Sequence, residues 1–146
     1  QSNGEPGKNT TFPDTDFPMF RLGDVYLMYA EAVARGGEGG DLATAVNYIN
    51  ALRERAYGDT YHNITESWLL ENNLQNILDE RCRELYWEGV RRTDLIRFGL
   101  YTSPNYLWTF KGGVLNGVGV DSRYNVFPIP TTDMSVNGHL QQNEGY

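Results

Sequence analysis

The chemically densest stretch of the chain runs from Asp79 to Arg97 and holds five acids and five arginines. Glu80 and Glu84 stand one helical turn apart, as do Glu84 and Glu88. That spacing suits a carboxylate metal site, a paired acid and base, or a charge-compensated network. The network is favoured, because each acid has arginines three or four positions away or across Gly89, and planar guanidinium groups satisfy carboxylates bidentately. Glu80, Arg81, Arg83, Glu84, Glu88, Arg91, Arg92, Asp94 and Arg97 are therefore read as structural, with no catalytic residue, metal or cofactor assigned. His62 and His139 are isolated, and no HExxH, GxSxG or Cys/His pattern occurs. The single Cys82 falls in a helical pattern and is read as a buried, inert thiol.

The second chemical resource is aromatic: ten tyrosines, six phenylalanines and three tryptophans. Tyr101, Asn105, Tyr106, Trp108 and Lys111 gather flat apolar faces and polar tips into one loop, the mixture that recognises a sugar ring. Two readings stay open for this loop: a ligand platform centred on Trp108, or a lid of Trp108 and Phe110 over a helical core. Trp68 and Tyr61, in the connection over 57–73, carry the same two readings. Trp87, beside Tyr86 in the charge-dense stretch, is expected in the core or between helices.

The elements that must position these residues follow from periodicity. Residues 1–20, with Pro6, Pro13 and Pro18, read as an extended, turn-rich lead-in. From Arg21 a helical period sets in, with Val25, Met28, Tyr29, Ala32 and Val33 as the expected buried face, Glu31 and Arg35 paired outside, and Gly36-Gly37 as the stop. Asp41 is expected to cap a second helix with the stripe Leu42, Ala45, Val46, Ile49, Leu52 and Ala56. Two amphipathic helices joined by a short glycine-rich link form an antiparallel hairpin. The link lacks the GxxxxGK[ST] order and carries Glu38, which argues against a phosphate cradle.

A helical turn is expected around Trp68, Leu69 and Leu70. Asn73 is expected to cap a third helix that buries Leu74, Ile77, Leu78, Cys82, Leu85 and Tyr86 and stops at Gly89; a fourth runs from about Arg92 to Phe98. Beyond residue 100 the period disappears. Asn125 to Pro130 reads as extended, because each proline restrains its predecessor, and Thr131 to Asp133 opens a last helical turn.

Composition bounds the function. The chain has 146 residues, 40% of them hydrophobic and 21% charged, which fits about one globular domain and excludes wholesale disorder. A net charge of −7 repels nucleic-acid phosphates, so direct nucleic-acid binding is not expected. No stretch reaches the length of a membrane span. Gln1 is not an initiator residue and no signal pattern follows it, which leaves a removed signal or a start inside a longer protein.

Leu78-Asp79-Glu80-Arg81, Glu84-Leu85-Tyr86-Trp87-Glu88-Gly89 and Arg91-Arg92-Thr93-Asp94-Leu95-Ile96-Arg97-Phe98-Gly99 together resemble the signature of the SusD/RagB family. Phe20 to Ala32 (FRLGDVYLMYAEA) is similar to the family's helix ahead of that signature, and Phe127-Pro128-Ile129-Pro130 with Gln142-Asn143 to Gly145-Tyr146 is similar to its C-terminus. The resemblance covers the chain from Phe17 onward. It departs at Val90, where the family often has His, and at Gly138 and Glu144, where Pro is usual.

The resemblance implies that residues 1–146 are the C-terminal part of a longer protein. It implies a mostly α fold: tetratricopeptide-like helical hairpins over 21–99, then a loop-rich, irregular ligand-side region over 100–146. For the parent it implies a lipid-anchored protein on the surface of the outer membrane. Such a protein captures an oligosaccharide or related nutrient without cleaving it and delivers it to a SusC-like TonB-dependent transporter. The rival expectations are a helical protein-interaction adaptor that binds no glycan, and a glycoside hydrolase.

Overall fold

The computed structural model describes residues 8, 9, 11, 17–110 and 113–146. Most of the expected lead-in therefore lies outside the described residues, as does Lys111. The chain divides into two compact units, Gln1–Glu71 and Asn72–Tyr146. The architecture is mostly α, and the change from helix to loop near residue 100 falls within the second unit. Among the described residues the one extended pairing is an antiparallel bridge between Trp108 and Val118.

The first unit is built on helices α1 (Leu22–Ala34) and α2 (Leu42–Tyr57), followed by the short α3 (Glu66–Leu70). Asp41 caps α2 as its residue type dictates: its carboxylate accepts from the Thr44 amide at 2.7 Å and from the Thr44 hydroxyl at 2.8 Å. Those two donors hold the Asp41 carboxyl below its ordinary value. Thr65 caps α3 through the Trp68 amide, so the expected helical turn is present with a cap ahead of it. Leu27 and Ala30 of α1, Ala45, Ile49 and Leu52 of α2, and Ile64 and Leu69 beyond it form the buried apolar set. Tyr26 stacks on Tyr48 at 4.2 Å between ring centroids, and Tyr29 meets the same ring edge-on. Asn50 fixes the chain after α2 by pairing with both backbone groups of Ile64, at 2.8 and 3.2 Å.

The expected buried face of α1 needs correction. Val25 and Met28 are 45% and 44% exposed and Ala32 is exposed, whereas Gly23, Leu27, Ala30 and Glu31 are buried. Both faces of this helix are apolar, so a 3.6-residue period marks a helix without saying which side meets its partner. The Glu31–Arg35 pair forms at 2.9 Å, but Glu31 is buried and Arg35 carries the exposed end. In α2 the expected stripe holds except at Ala56, which is exposed.

The second unit opens with three successive left-handed residues, Asn72, Asn73 and Leu74, with φ of 52°, 51° and 63°. Asn73 is therefore not the cap of the helix that follows, α4 (Gln75–Glu84), whose preceding residue is Leu74 with no side-chain cap. This helix ends earlier than the periodicity suggested. Leu85 closes it and stays buried, while Tyr86 is 72% and Trp87 87% exposed in the turn leading to Gly89. The expected burial of Tyr86 and Trp87 is thus overturned: the helical frame that pointed them inward stops one residue before Leu85. Cys82 is half-buried and lines a cavity of about 320 Å³ beside Leu85, Trp87 and Val90. Helix α5 (Arg91–Arg97) follows, with Gly99 in the left-handed region just past it. Ile77, Leu78, Leu85 and Leu95 are this unit's buried apolar residues; after Leu95 no described residue is fully buried. A 3₁₀ turn (Ser122–Asn125) and helix α6 (Thr131–Val136) punctuate the remaining loops.

Candidate functional site

Helices α4 and α5 bring the charge-dense stretch together in a definite pattern. Arg81 Nε donates to Asp94 Oδ2 at 2.9 Å with both side chains buried, and Arg97 donates to Asp94 Oδ1 at 2.9 Å. Arg83 pairs with Glu80 at 2.6 Å. Glu84 and Glu88 are half-buried on the same stretch, and both have contacts of their own. Among the described residues, no cluster of three or more His, Cys, Asp or Glu side chains is placed to hold a metal ion.

Arg91 and Arg92 do something the charge pattern did not foretell. Arg91 donates to the Leu78 carbonyl at 3.0 Å and to the Tyr106 hydroxyl at 3.2 Å. Arg92 donates to the carbonyls of Tyr124 and Asn125 at 2.7 and 3.2 Å, and its guanidinium lies over the rings of Phe127 and Tyr101 at 4.2 and 5.1 Å. These two arginines tie α5 to the loops by hydrogen bonds and cation–π contacts. The sequence carried no signal for that, since their targets are backbone carbonyls and rings up to 33 positions away.

The loop candidates converge in part. Trp108 sits edge-on to Tyr106, with centroids 5.3 Å apart, and to Tyr101 at 5.9 Å. All three rings are half-buried. Edge-to-face packing of this kind adds rigidity to a cluster of rings. The Trp108 amide donates to the Val118 carbonyl, and the residue before Val118, Gly117, packs its backbone against that of Trp108. The φ of Gly117 is +83°, and a Cβ there would stand 2.8 Å from the Trp108 carbonyl carbon. Asn105 is exposed in the same loop, its backbone amide donating to Ser103 Oγ.

Trp68 belongs to the first unit and is not part of this cluster. There the Arg53 guanidinium lies 5.7 Å from the Trp68 ring and 5.4 Å from Tyr57, which stacks on His62 at 3.9 Å; Tyr61 meets His62 edge-on.

The extended segment Phe127 to Pro130 is held by the C-terminal residues. Gln142 accepts from the Ile129 amide at 2.8 Å and donates to the Ile129 carbonyl at 2.9 Å. Asn143 donates to the Phe127 carbonyl at 2.7 Å, and the Tyr146 hydroxyl donates to the Val126 carbonyl at 3.0 Å. The two motifs singled out at the end of the chain are therefore partners.

The SusD family profile matches residues 3–146. The starch-binding protein SusD of Bacteroides thetaiotaomicron is 46% identical over 147 residues, covering 100% of this chain and 24% of that protein. Two SusD-like proteins of Formosa agariphila are 33% and 31% identical, covering 88% and 98% of this chain and 24% and 28% of their own lengths. The chain thus spans about a quarter of the length of these curated relatives. With the family profile matched over nearly every residue, the chain belongs to the SusD family.

Proposed function

We propose that the protein binds an oligosaccharide or related nutrient without cleaving it, as part of a longer, lipid-anchored protein on the outer-membrane surface. In this reading residues 1–146 are its C-terminal part, and the bound glycan passes to a SusC-like TonB-dependent transporter. The observation that carries the reading is the 46% identity, across the whole chain, to a protein named for starch binding. A starch-type α-glucan is therefore the first probe.

The contact surface proposed within this chain is the loop from Tyr101 to Lys111. Stacking of a pyranose C–H face on an indole gains apolar area, while hydroxyls at the ring edge are met by amides and phenols. Trp108, braced by Tyr101 and Tyr106, is the platform, with Asn105 at its edge. Trp68 is proposed as a separate contact on the first unit. Arg91 and Arg92 position the loop instead of touching sugar. Catalysis is not proposed: Glu80 and Asp94 are spent on Arg83, Arg81 and Arg97, which leaves no carboxylate pair of the kind glycoside hydrolysis needs among them.

One observation favours the adaptor reading. Leu22, Val25 and Met28 expose an apolar stripe along α1, of the sort that docks onto another protein. Electrophoresis through gels containing starch separates the readings. Retarded migration with no release of reducing ends is expected. Unretarded migration in starch and in every other glycan gel, together with a protein that co-purifies stoichiometrically, would replace glycan binding with the adaptor; steady release of reducing ends would replace it with a hydrolase.

A further inference from the structure

The chain contains three Asn-Gly pairs, Asn3-Gly4, Asn116-Gly117 and Asn137-Gly138, and the first lies outside the described residues. In such a pair the backbone nitrogen of the glycine can attack the asparagine side-chain amide and close a cyclic imide, because glycine puts no Cβ in the way. The fold holds the two described pairs very differently.

Gly117 has its nitrogen occupied. It donates to the Val114 carbonyl at 3.0 Å, and its backbone is pressed so close to the Trp108 loop that a Cβ would stand 2.8 Å from the Thr109 nitrogen. Swinging that nitrogen toward the Asn116 side chain breaks the turn and disturbs the neighbouring Trp108–Val118 bridge. Gly138, just past α6, is the opposite case. It is exposed, as are Asn137 and His139 on either side. A Cβ at Gly138 would meet nothing within 4 Å, and its nitrogen makes no hydrogen bond among the described residues. Asn137 Oδ1 accepts from the His139 amide at 3.1 Å, whereas Nδ2 makes no hydrogen bond among the described residues. The donor on Oδ1 draws electron density from Cγ and faces the oxygen on which negative charge gathers when Cγ is attacked. The nucleophile is free, the electrophile is polarised and the leaving group is unheld.

We propose that Asn137 is a site of spontaneous covalent modification, where attack by the Gly138 nitrogen converts the residue to aspartate and isoaspartate. The bond from Gly138 N to Asn137 Cγ forms and the Cγ–Nδ2 bond breaks. The Gly138 amide proton passes through water to the departing nitrogen, which leaves as ammonia. Water then opens the imide: cleavage at Cγ gives aspartate, and cleavage at the main-chain carbonyl carbon gives isoaspartate, with the chain running through Asn137 Cβ. Nothing is oxidised or reduced, and water is the only co-reactant. Either product adds a negative charge to a chain already at −7.

The isoaspartyl product also reaches the C-terminal clamp. The Asn137 carbonyl accepts from the Leu140 amide at 3.1 Å and closes the turn between α6 and Gln142. In isoaspartate that carbonyl becomes a pendant carboxylate and the main chain gains a methylene. The turn that presents Gln142 to Ile129 is rebuilt, which loosens the clamp. None of this depends on the ligand the protein binds.

The test is a timed incubation of the folded 146-residue chain at mildly alkaline pH, then trypsin digestion and mass spectrometry with fragmentation that separates aspartate from isoaspartate. Cleavage after Lys111 and Arg123 puts the two pairs on different peptides. Conversion at Asn137 is expected to run roughly two- to tenfold faster than at Asn116, the factor set by the one backbone hydrogen bond that Gly117 must break. In guanidinium the two rates should converge. Gly138→Pro removes the attacking N–H without costing a described hydrogen bond, and it suits the extended Asn137 backbone at φ −122° and ψ 96°. That variant should lose conversion at Asn137 and keep it at Asn116. In the isolated isoaspartyl protein, amide exchange at Ile129 should be faster than in the unmodified chain. Equal rates at the two asparagines of the folded chain, a rate ratio that survives unfolding, or continued loss of ammonia from Asn137 in the Gly138→Pro variant would overturn the site. Unchanged exchange at Ile129 would overturn its effect on the clamp.

Discussion

The same device appears in both units with different weight. In the first unit Asn50 pairs with both backbone groups of Ile64, and in the second Gln142 does so with Ile129. Ile64 is buried among apolar neighbours, so its clamp trims a segment that burial already holds. Ile129 is half-buried in a region where no described residue beyond Leu95 is sealed from water. There the side-chain amides, together with Arg92, Arg123 and Tyr146, are the principal restraints on the loops. The contrast shows how one chain divides its labour: apolar burial makes a scaffold that tolerates polar changes, and directed hydrogen bonds shape an open polar surface at little apolar cost.

The sharpest break of that contrast comes where polarity does reach a core. Asp94→Ala deprives the buried Arg81 and the flanking Arg97 of their carboxylate, and should destabilise the second unit by about 3–5 kcal/mol in urea unfolding. An unchanged midpoint would show that the α4–α5 ion pair is dispensable. Next in size, Leu27→Ala should cost about 2–5 kcal/mol because it leaves a cavity between packed helices. Met28→Ala, one residue away on the exposed face, should stay within about 0.5 kcal/mol. Equal losses at the two positions would reverse the assignment of the buried face of α1.

Gln142→Ala should cost about 1 kcal/mol and act locally. Amide exchange at Ile129 should accelerate while the helices keep their protection, and uniform acceleration would mean that the loops and α4–α5 unfold as one. The smallest effect belongs to Asp41. Its carboxyl is lowered in the folded state by the Thr44 donors, so its contribution is present above the ordinary carboxylate pKa of 3.8 and is lost as pH falls through the folded value. Helicity of α2 should therefore weaken in acid, and Asp41→Ala should remove that dependence without altering the behaviour at neutral pH beyond a constant offset.

The helices were readable because their signals are local: Asp41 ahead of an apolar period, glycines behind it, and Leu, Ile and Ala at repeated spacing. The face of α1 was not readable, since Val25 and Met28 are as apolar as Leu27 and Ala30, and only the partner helix chooses between them. Asn73 misled because its residue type suits both a cap and a left-handed turn, and the chain uses the second. Trp87 misled because extending the period of α4 carries it inward, whereas the helix ends at Glu84. The site was legible as residue types and not as partners. Tyr101, Tyr106 and Trp108 were identified and do converge. The roles of Arg91, Arg92 and Gln142 depend on backbone carbonyls and rings brought near by loops without a period, and no spacing rule reports those.

The central claim is that this chain takes part in glycan binding through a braced aromatic platform. Isothermal titration of the protein and its Trp108→Ala variant with maltoheptaose tests it most directly, with circular dichroism confirming that the variant keeps its helices. Loss of a stacked anchor should weaken binding roughly tenfold or more, about 1.4 kcal/mol or greater. Equal affinities in two folded proteins would contradict the account and make Trp108 a lid over the core.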